Sequence, residues 1–206
     1  MAGKSLYQIL TSALVALALL VVASAAQAKG DPRGTMEARE ARVKKVLSDP
    51  ALPEPKKKEI VAEEVSNAFD FVELARRSLA SHWDKLTTAQ RNEFTGTLKQ
   101  LVEISLLDKI KPNKQYSVEV EEAKVQGGEA ELPTLLATPN TIPGDEVEVE
   151  FRLYENPRSG WMIYDLIIDE VSLLNNYRLQ FNKVIRERSF DGLLSQMKRR
   201  LASTQH

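Results

Sequence analysis

The chain has 206 residues, no cysteine, two histidines and a formal net charge of −1. A nucleic-acid-binding domain is expected to carry a basic excess or a basic cluster, and this balance argues against that class. Without cysteine there is no disulfide framework, no thiolate metal site and no residue to carry the acyl groups of a bacterial lipoprotein.

The N-terminal segment differs in character from the rest of the chain. Lys4 precedes an unbroken apolar run from Ala13 to Ala23, and Ala26-Gln27-Ala28 then forms a small-x-small pattern before Lys29. That order reads as a secretory signal peptide over residues 1–28. The apolar run is shorter than the roughly 20 residues that a membrane span needs. Residues 29–206 are expected to form one exported domain, long enough to bury a core without disulfides or metal.

Helix signals dominate the first half. Thr35 to Ser48 is charged, with apolar residues at Val43, Val46 and Leu47. Asp49 to Pro55 is a loop broken by three prolines. Helical spacing resumes from Lys56 to Ala68, and Asp70 is placed to cap a short helix carrying Phe71, Leu74, Ala75 and Leu79. Thr87-Thr88-Ala89-Gln90 has the form of a capping box. It opens a long helix whose apolar face holds Phe94, Leu98, Leu101, Val102 and Leu106, ended by Lys111-Pro112-Asn113.

The period then changes. Val118 and Val120 alternate with polar neighbours, and Gly127-Gly128 signals a hairpin. Glu131 to Thr138 is the returning strand, confined by Pro133 to an edge or a bulge. Ile142 to Asp145 is a turn. Val147, Val149, Phe151 and Leu153 alternate with Glu146, Glu148, Glu150 and Arg152, the clearest strand of the chain. Trp161 to Ile168 is apolar on both faces. Leu174, Tyr177, Phe181, Val184 and Ile185 make a helical stripe, and Ser189 is placed to cap a last helix with Leu193, Leu194, Met197 and Leu201. Helices, then an antiparallel meander of about four strands, then helices make an α+β order.

Catalytic equipment is scarce. Of the two histidines, His82 and His206, only His82 lies among predicted elements, within Ser81-His82-Trp83-Asp84. A zinc site or a Ser-His-Asp triad would depend on it alone. The glutamates at 146, 148 and 150 read as a solvated, edge-protecting face rather than as acid–base catalysts. No metal, cofactor or enzymatic activity is expected.

Three segments taken together resemble the MlaC family, also called the toluene-tolerance auxiliary family. They are Phe69 to Arg77 (FDFVELARR) followed by Leu79 and Trp83, Leu86 to Phe94 (LTTAQRNEF) followed by Leu98 and Leu101, and Gly160 to Asp165 (GWMIYD) followed by Val171-Ser172-Leu173, Asn176-Tyr177-Arg178 and Phe181. The last is similar to the family's W-x-V-x-D-V…G-V-S-L-V-x-N-Y-R-x-x-F stretch. The resemblance runs from Met36 to Leu201. The departures fall at turns: members usually carry glycine where this chain has Ala80 and Glu170.

The resemblance implies a curved antiparallel sheet of four to five strands packed against several helices, with a lipid cavity between the layers. It implies a periplasmic phospholipid carrier that maintains outer-membrane lipid asymmetry. The implied partners are an outer-membrane lipoprotein complex and an inner-membrane MCE-domain protein with its ABC transporter. Hopanoid-associated proteins share the family, so a different lipid is an alternative, as is an interaction module with a filled core. Each acyl methylene removed from water contributes about 0.8 kcal/mol, so a carrier needs a dry apolar slot. The residues assigned to its lining are Trp83, Phe94, Leu98, Leu101, Val149, Phe151, Leu153, Trp161, Ile163, Tyr177 and Phe181. Trp83, Trp161 and Tyr177 combine an apolar body with a polar tip suited to the mouth. Arg76, Arg77, Arg91 and Arg178 are candidates for a phosphate, a partner or a structural ion pair.

Overall fold

The structure is a computed structural model that describes residues 30–107, 117–137, 141, 146–168 and 170–204. The signal-peptide assignment, the stop at Lys111-Pro112-Asn113, the turn at Ile142 to Asp145, the side chain of Leu106 and His206 lie outside the described residues.

Helix α1 spans Pro32–Ser48 and starts where Asp31 Oδ2 accepts from the Gly34 N–H at 3.0 Å. A turn holding Pro50 and Pro53 separates it from α2, Glu54–Ala68, because each proline removes an N–H that a continuing helix would use. Lys57 is buried and donates from Nζ to the Leu47 carbonyl at 2.8 Å, placing a cation at the C-terminal end of α1 where the helix dipole favours one. Helix α3, Phe71–Leu79, is capped by Asp70, whose Oδ1 accepts from the Glu73 N–H at 2.9 Å. A 3₁₀ stretch, Ala80–Lys85, leads to α4, Thr88–Leu107. The capping box forms in both directions: Gln90 N–H donates to Thr87 Oγ1 at 3.2 Å, and Thr87 N–H donates to Gln90 Oε1 at 3.0 Å.

Among the described residues, six strands make an antiparallel sheet: β1 Ser117–Val120, β2 Lys124–Gln126, β3 Glu129–Ala137, β4 Val147–Asn156, β5 Gly160–Ile168 and β6 Val171–Ser172. The order is β1-β3-β4-β5-β6, with β2 also paired to β3. Strand β3 is an inner strand, which corrects the edge option set by Pro133; the bulge option is the one the fold adopts. Val120 pairs with Thr134 and Lys124 with Glu131, so three residues of the partner, Glu121 to Ala123, stand opposite Leu132 and Pro133. The proline ring meets this break. No N–H is called for there, while its carbonyl still accepts from Glu121 N–H at 3.0 Å. The sixth strand, β6, is two residues long and too short to show as a period.

Helix α5 runs Leu173–Ser203 as two arms joined at Ser189, whose φ of 64° and ψ of 174° are not helical. The apolar faces of the strands and helices merge into one core, with Phe94, Phe151, Leu132, Leu153, Leu74 and Met36 among its fully buried members.

Ala80 and Glu170, the two positions where the family pattern has glycine, both adopt positive φ, 48° and 67°. A Cβ in this region is strained, and both side chains are exposed, so nothing offsets the cost. Ala80→Gly and Glu170→Gly are each expected to stabilise the fold by about 1 kcal/mol and to raise the thermal midpoint by about 2–4 °C. A melting curve for either variant at or below the parent value contradicts this.

Candidate functional site

The eleven residues assigned to a lipid slot come from five elements and meet in the core. On α4, Phe94 and Leu98 are buried and Leu101 is half-buried. The Phe94 ring lies 5.3 Å from Phe181 in an edge-on arrangement and 5.9 Å from Phe190. Phe181 stacks on Tyr177 at 5.2 Å with the planes 6° apart. These contacts join α4 to both arms of α5. From the sheet, Val149, Phe151 and Leu153 on β4 and Trp161 and Ile163 on β5 are buried in the same cluster, as their period-two alternation requires. Trp83 joins it from the 3₁₀ stretch, with the Arg91 guanidinium 5.2 Å over its ring. All eleven are therefore in one apolar body between sheet and helices.

Tyr177 differs from an ordinary core residue. Its phenol is enclosed deeply enough that burial pushes its pKa up to about 12. The residue nevertheless keeps accessible surface, as do Leu101, Val184, Ile185 and Phe190 packed around the same cluster.

The four candidate arginines are engaged within the protein. Arg76 and Arg77 both hold Glu73, and their hydrogen bonds, Arg76's first, keep its carboxyl below the usual glutamate range. Arg77 also reaches Glu129 at 2.7 Å and lies 3.7 Å over the Tyr164 ring, whose hydroxyl donates to Glu129 at 3.0 Å. Arg91 Nε donates to the Trp83 carbonyl at 3.0 Å, and Arg178 Nε to the Arg77 carbonyl at 3.2 Å. These groups fix α3 and its turn against α5 and the hairpin end of the sheet. His82 Nε2 hydrogen-bonds Asn182 Oδ1 at 2.9 Å, a structural link between the 3₁₀ stretch and α5. Among the described residues no group of three His, Cys, Asp or Glu side chains is placed to hold a metal ion.

Sequence reading missed the environments of Arg39 and Glu64. Arg39 is buried on α1 and donates to the Asn67 and Trp161 carbonyls at 3.5 and 3.4 Å; burial lowers its pKa to about 10. Trp161 Nε1 in turn donates to the Gly30 carbonyl, so α1 is tied at two points to the start of β5. Nearby, Glu64 Oε2 is buried without a hydrogen-bond partner in the protein, and burial raises that carboxyl to about 7 against the opposing pull of Arg42. The folded state thus binds the Glu64 proton more tightly than the unfolded chain does. Its contribution to stability is fully present below the unfolded value near 4.3 and is lost as pH rises through about 7. Glu64→Gln is expected to raise the melting temperature at pH 8 by about a degree or two, because partial exposure screens the effect. The gain should vanish by about pH 4. A gain equal at both pH values refutes the assignment.

No helix among the described residues is long and apolar enough to cross a membrane. A family model described as MlaC protein matches residues 37–199. Among solved structures, the fold is similar to that of a phospholipid-binding protein from Ralstonia solanacearum in complex with a phospholipid, at a TM-score of 0.71 and 19% identity. The match covers 86% of this chain and 100% of that one. None of the curated proteins matches this chain.

Proposed function

This chain belongs to the MlaC protein family, and from that premise we propose that it carries a diacyl phospholipid through the periplasm without transforming it chemically. The observation that carries the reading is the shared fold: a protein seen with phospholipid bound has the same architecture over 86% of this chain. The apolar cluster around Tyr177, Phe181, Leu101 and Ile185 supplies residues of the kind that a slot for two acyl chains requires. Two chains of ~16 carbons resist entering water by something like 20 kcal/mol, so the slot, not a catalytic group, supplies the function. Such a carrier passes lipid between an outer-membrane lipoprotein complex and an inner-membrane MCE-domain protein with its ABC transporter, keeping the outer membrane asymmetric. Residues 1–28 act as its export signal.

The test is native mass spectrometry of the protein taken from the periplasm of cells that express the full chain, followed by lipid identification. The expected result is one diacyl phospholipid per protein, released intact on unfolding. A hopanoid in its place redirects the reading to another lipid. Protein free of lipid that also takes none from phospholipid vesicles overturns it.

A further inference from the structure

The break in α5 is stored rather than relaxed geometry. Ser189, at φ 64° and ψ 174°, sits in a region that is essentially open only to glycine. Three residues later, a Cβ on Gly192 would lie 2.6 Å from the Arg188 Cβ, whereas side chains four apart on a straight helix have Cβ atoms about 5–6 Å apart. The kink therefore needs glycine at 192 and strains the serine at 189. Relaxing Ser189 to helical torsions turns α5 into one straight helix and swings residues 190–203 away from the body.

What that arm covers is the proposed slot. Phe190 packs on Phe94, which touches Phe181, and Phe181 stacks on Tyr177. Leu193 and Met197 are buried in the shared core, and Lys198 pairs with Glu93 on α4. Arg200 is near enough for its charge to act on the Tyr177 phenol. We propose that residues 190–203 are a lid hinged at Ser189, and that straightening of α5 at this hinge opens the slot between α4 and the first arm for lipid to enter and leave. The proposal rests on the lipid-carrier reading and deepens it by naming what gates exchange.

Two substitutions pull the hinge in opposite directions. Gly192→Ala clashes only in the kinked form and is a better helix former in the straight one, so it favours opening. Ser189→Gly removes the strain of the kinked form and weakens the straight helix, so it favours closure. Lipid exchange is measured by mixing purified full-length protein with phosphatidylcholine vesicles that carry a fluorescent phospholipid. Exchange is expected to rise about tenfold in Gly192→Ala and to fall about tenfold in Ser189→Gly, fold-changes of the size such backbone strain supports. Because the chain has no cysteine, Glu93→Cys with Lys198→Cys can be bridged by a cleavable thiol cross-linker. Bridging is expected to stop exchange and cleavage of the linker to restore it. Amide hydrogen exchange over residues 190–197 gives a readout that needs no lipid, and should be fastest in Gly192→Ala and slowest in Ser189→Gly. Equal hydrogen exchange in the two variants, or lipid exchange unaffected by bridging, overturns the lid. A protein that takes up no lipid but keeps the hydrogen-exchange order retains the hinged arm and loses the carrier reading.

Discussion

Replacing Asp165 by alanine is expected to destabilise the protein by about 3–5 kcal/mol, lowering the thermal midpoint by roughly 10–15 °C. The carboxylate is 4% exposed and accepts three hydrogen bonds. Oδ1 takes the Leu166 and Leu174 N–H groups, both at 2.8 Å, and Oδ2 takes the Ser172 hydroxyl at 2.6 Å. Ser172 Oγ accepts in turn from Asn175 N–H at 2.9 Å as the cap of α5. One side chain thus joins β5, the short strand β6 and the start of α5, and its negative charge faces a helix N-terminus, where it is favoured. Alanine leaves two N–H groups and a hydroxyl without their acceptor, each at a cost of about 1–3 kcal/mol when buried. Asparagine keeps one acceptor oxygen and should lose less than half as much.

The pH dependence of Asp165 separates it from a purely geometric role. Burial pushes its pKa up, and the bonds from Ser172, Leu174 and Leu166 pull it back only in part. The native state therefore holds this proton more tightly than the unfolded chain. That contribution is complete below the unfolded value near 3.9 and is lost as pH rises through the raised native value. The asparagine variant lacks this loss, so its deficit against the parent should shrink toward alkaline pH. Urea unfolding at pH 4 and pH 8 measures both effects. An alanine variant within about 1 kcal/mol of the parent removes Asp165 from its place at this junction.

Local signals survived folding because their partners lie within four residues. Asp70, Thr87 with Gln90, and Ser189 cap the helices that the sequence assigns them, since a cap is complete within one turn. The alternation of Val147, Val149, Phe151 and Leu153 needs only a buried face on one side of β4. What escaped depends on distant chain. Pro133 sits in an inner strand because residues 121–123 bulge opposite it, and nothing near Pro133 announces that. Asp70 N–H donates to the Ile163 carbonyl at 2.9 Å, so the turn before α3 covers part of the outer edge of β5. Arg39 and Lys57, which nothing in the local sequence sets apart from other helix cations, are buried because their acceptors are carbonyls of other elements. The assigned slot residues were legible as apolar faces, and the structure gathers them. Whether such a face lines a space or fills one is not written in periodicity, since both demand the same residue types at the same spacing.

That distinction yields the second large effect. Leu101→Trp combined with Ile185→Trp places two indole rings where the cluster is only partly buried. The added volume displaces about four acyl methylenes, about 3 kcal/mol of lipid burial, so phospholipid should bind more than a hundredfold more weakly. The same pair reads the interior itself. In an unfilled space the rings find new apolar contacts, and the lipid-free variant should melt at or above the lipid-free parent. In a solid core they force side chains off their rotamers at about 1–3 kcal/mol, and the variant should melt several degrees lower. The lipid-loaded parent should melt above both, because a ligand that binds only the native state stabilises it by mass action. Thermal melts of delipidated and loaded protein, alongside lipid titration, give all three comparisons in one set of samples. A lower melt without lipid together with unchanged lipid binding would place the lipid elsewhere. Loss of binding without loss of stability places it between α4, the first arm of α5 and the sheet.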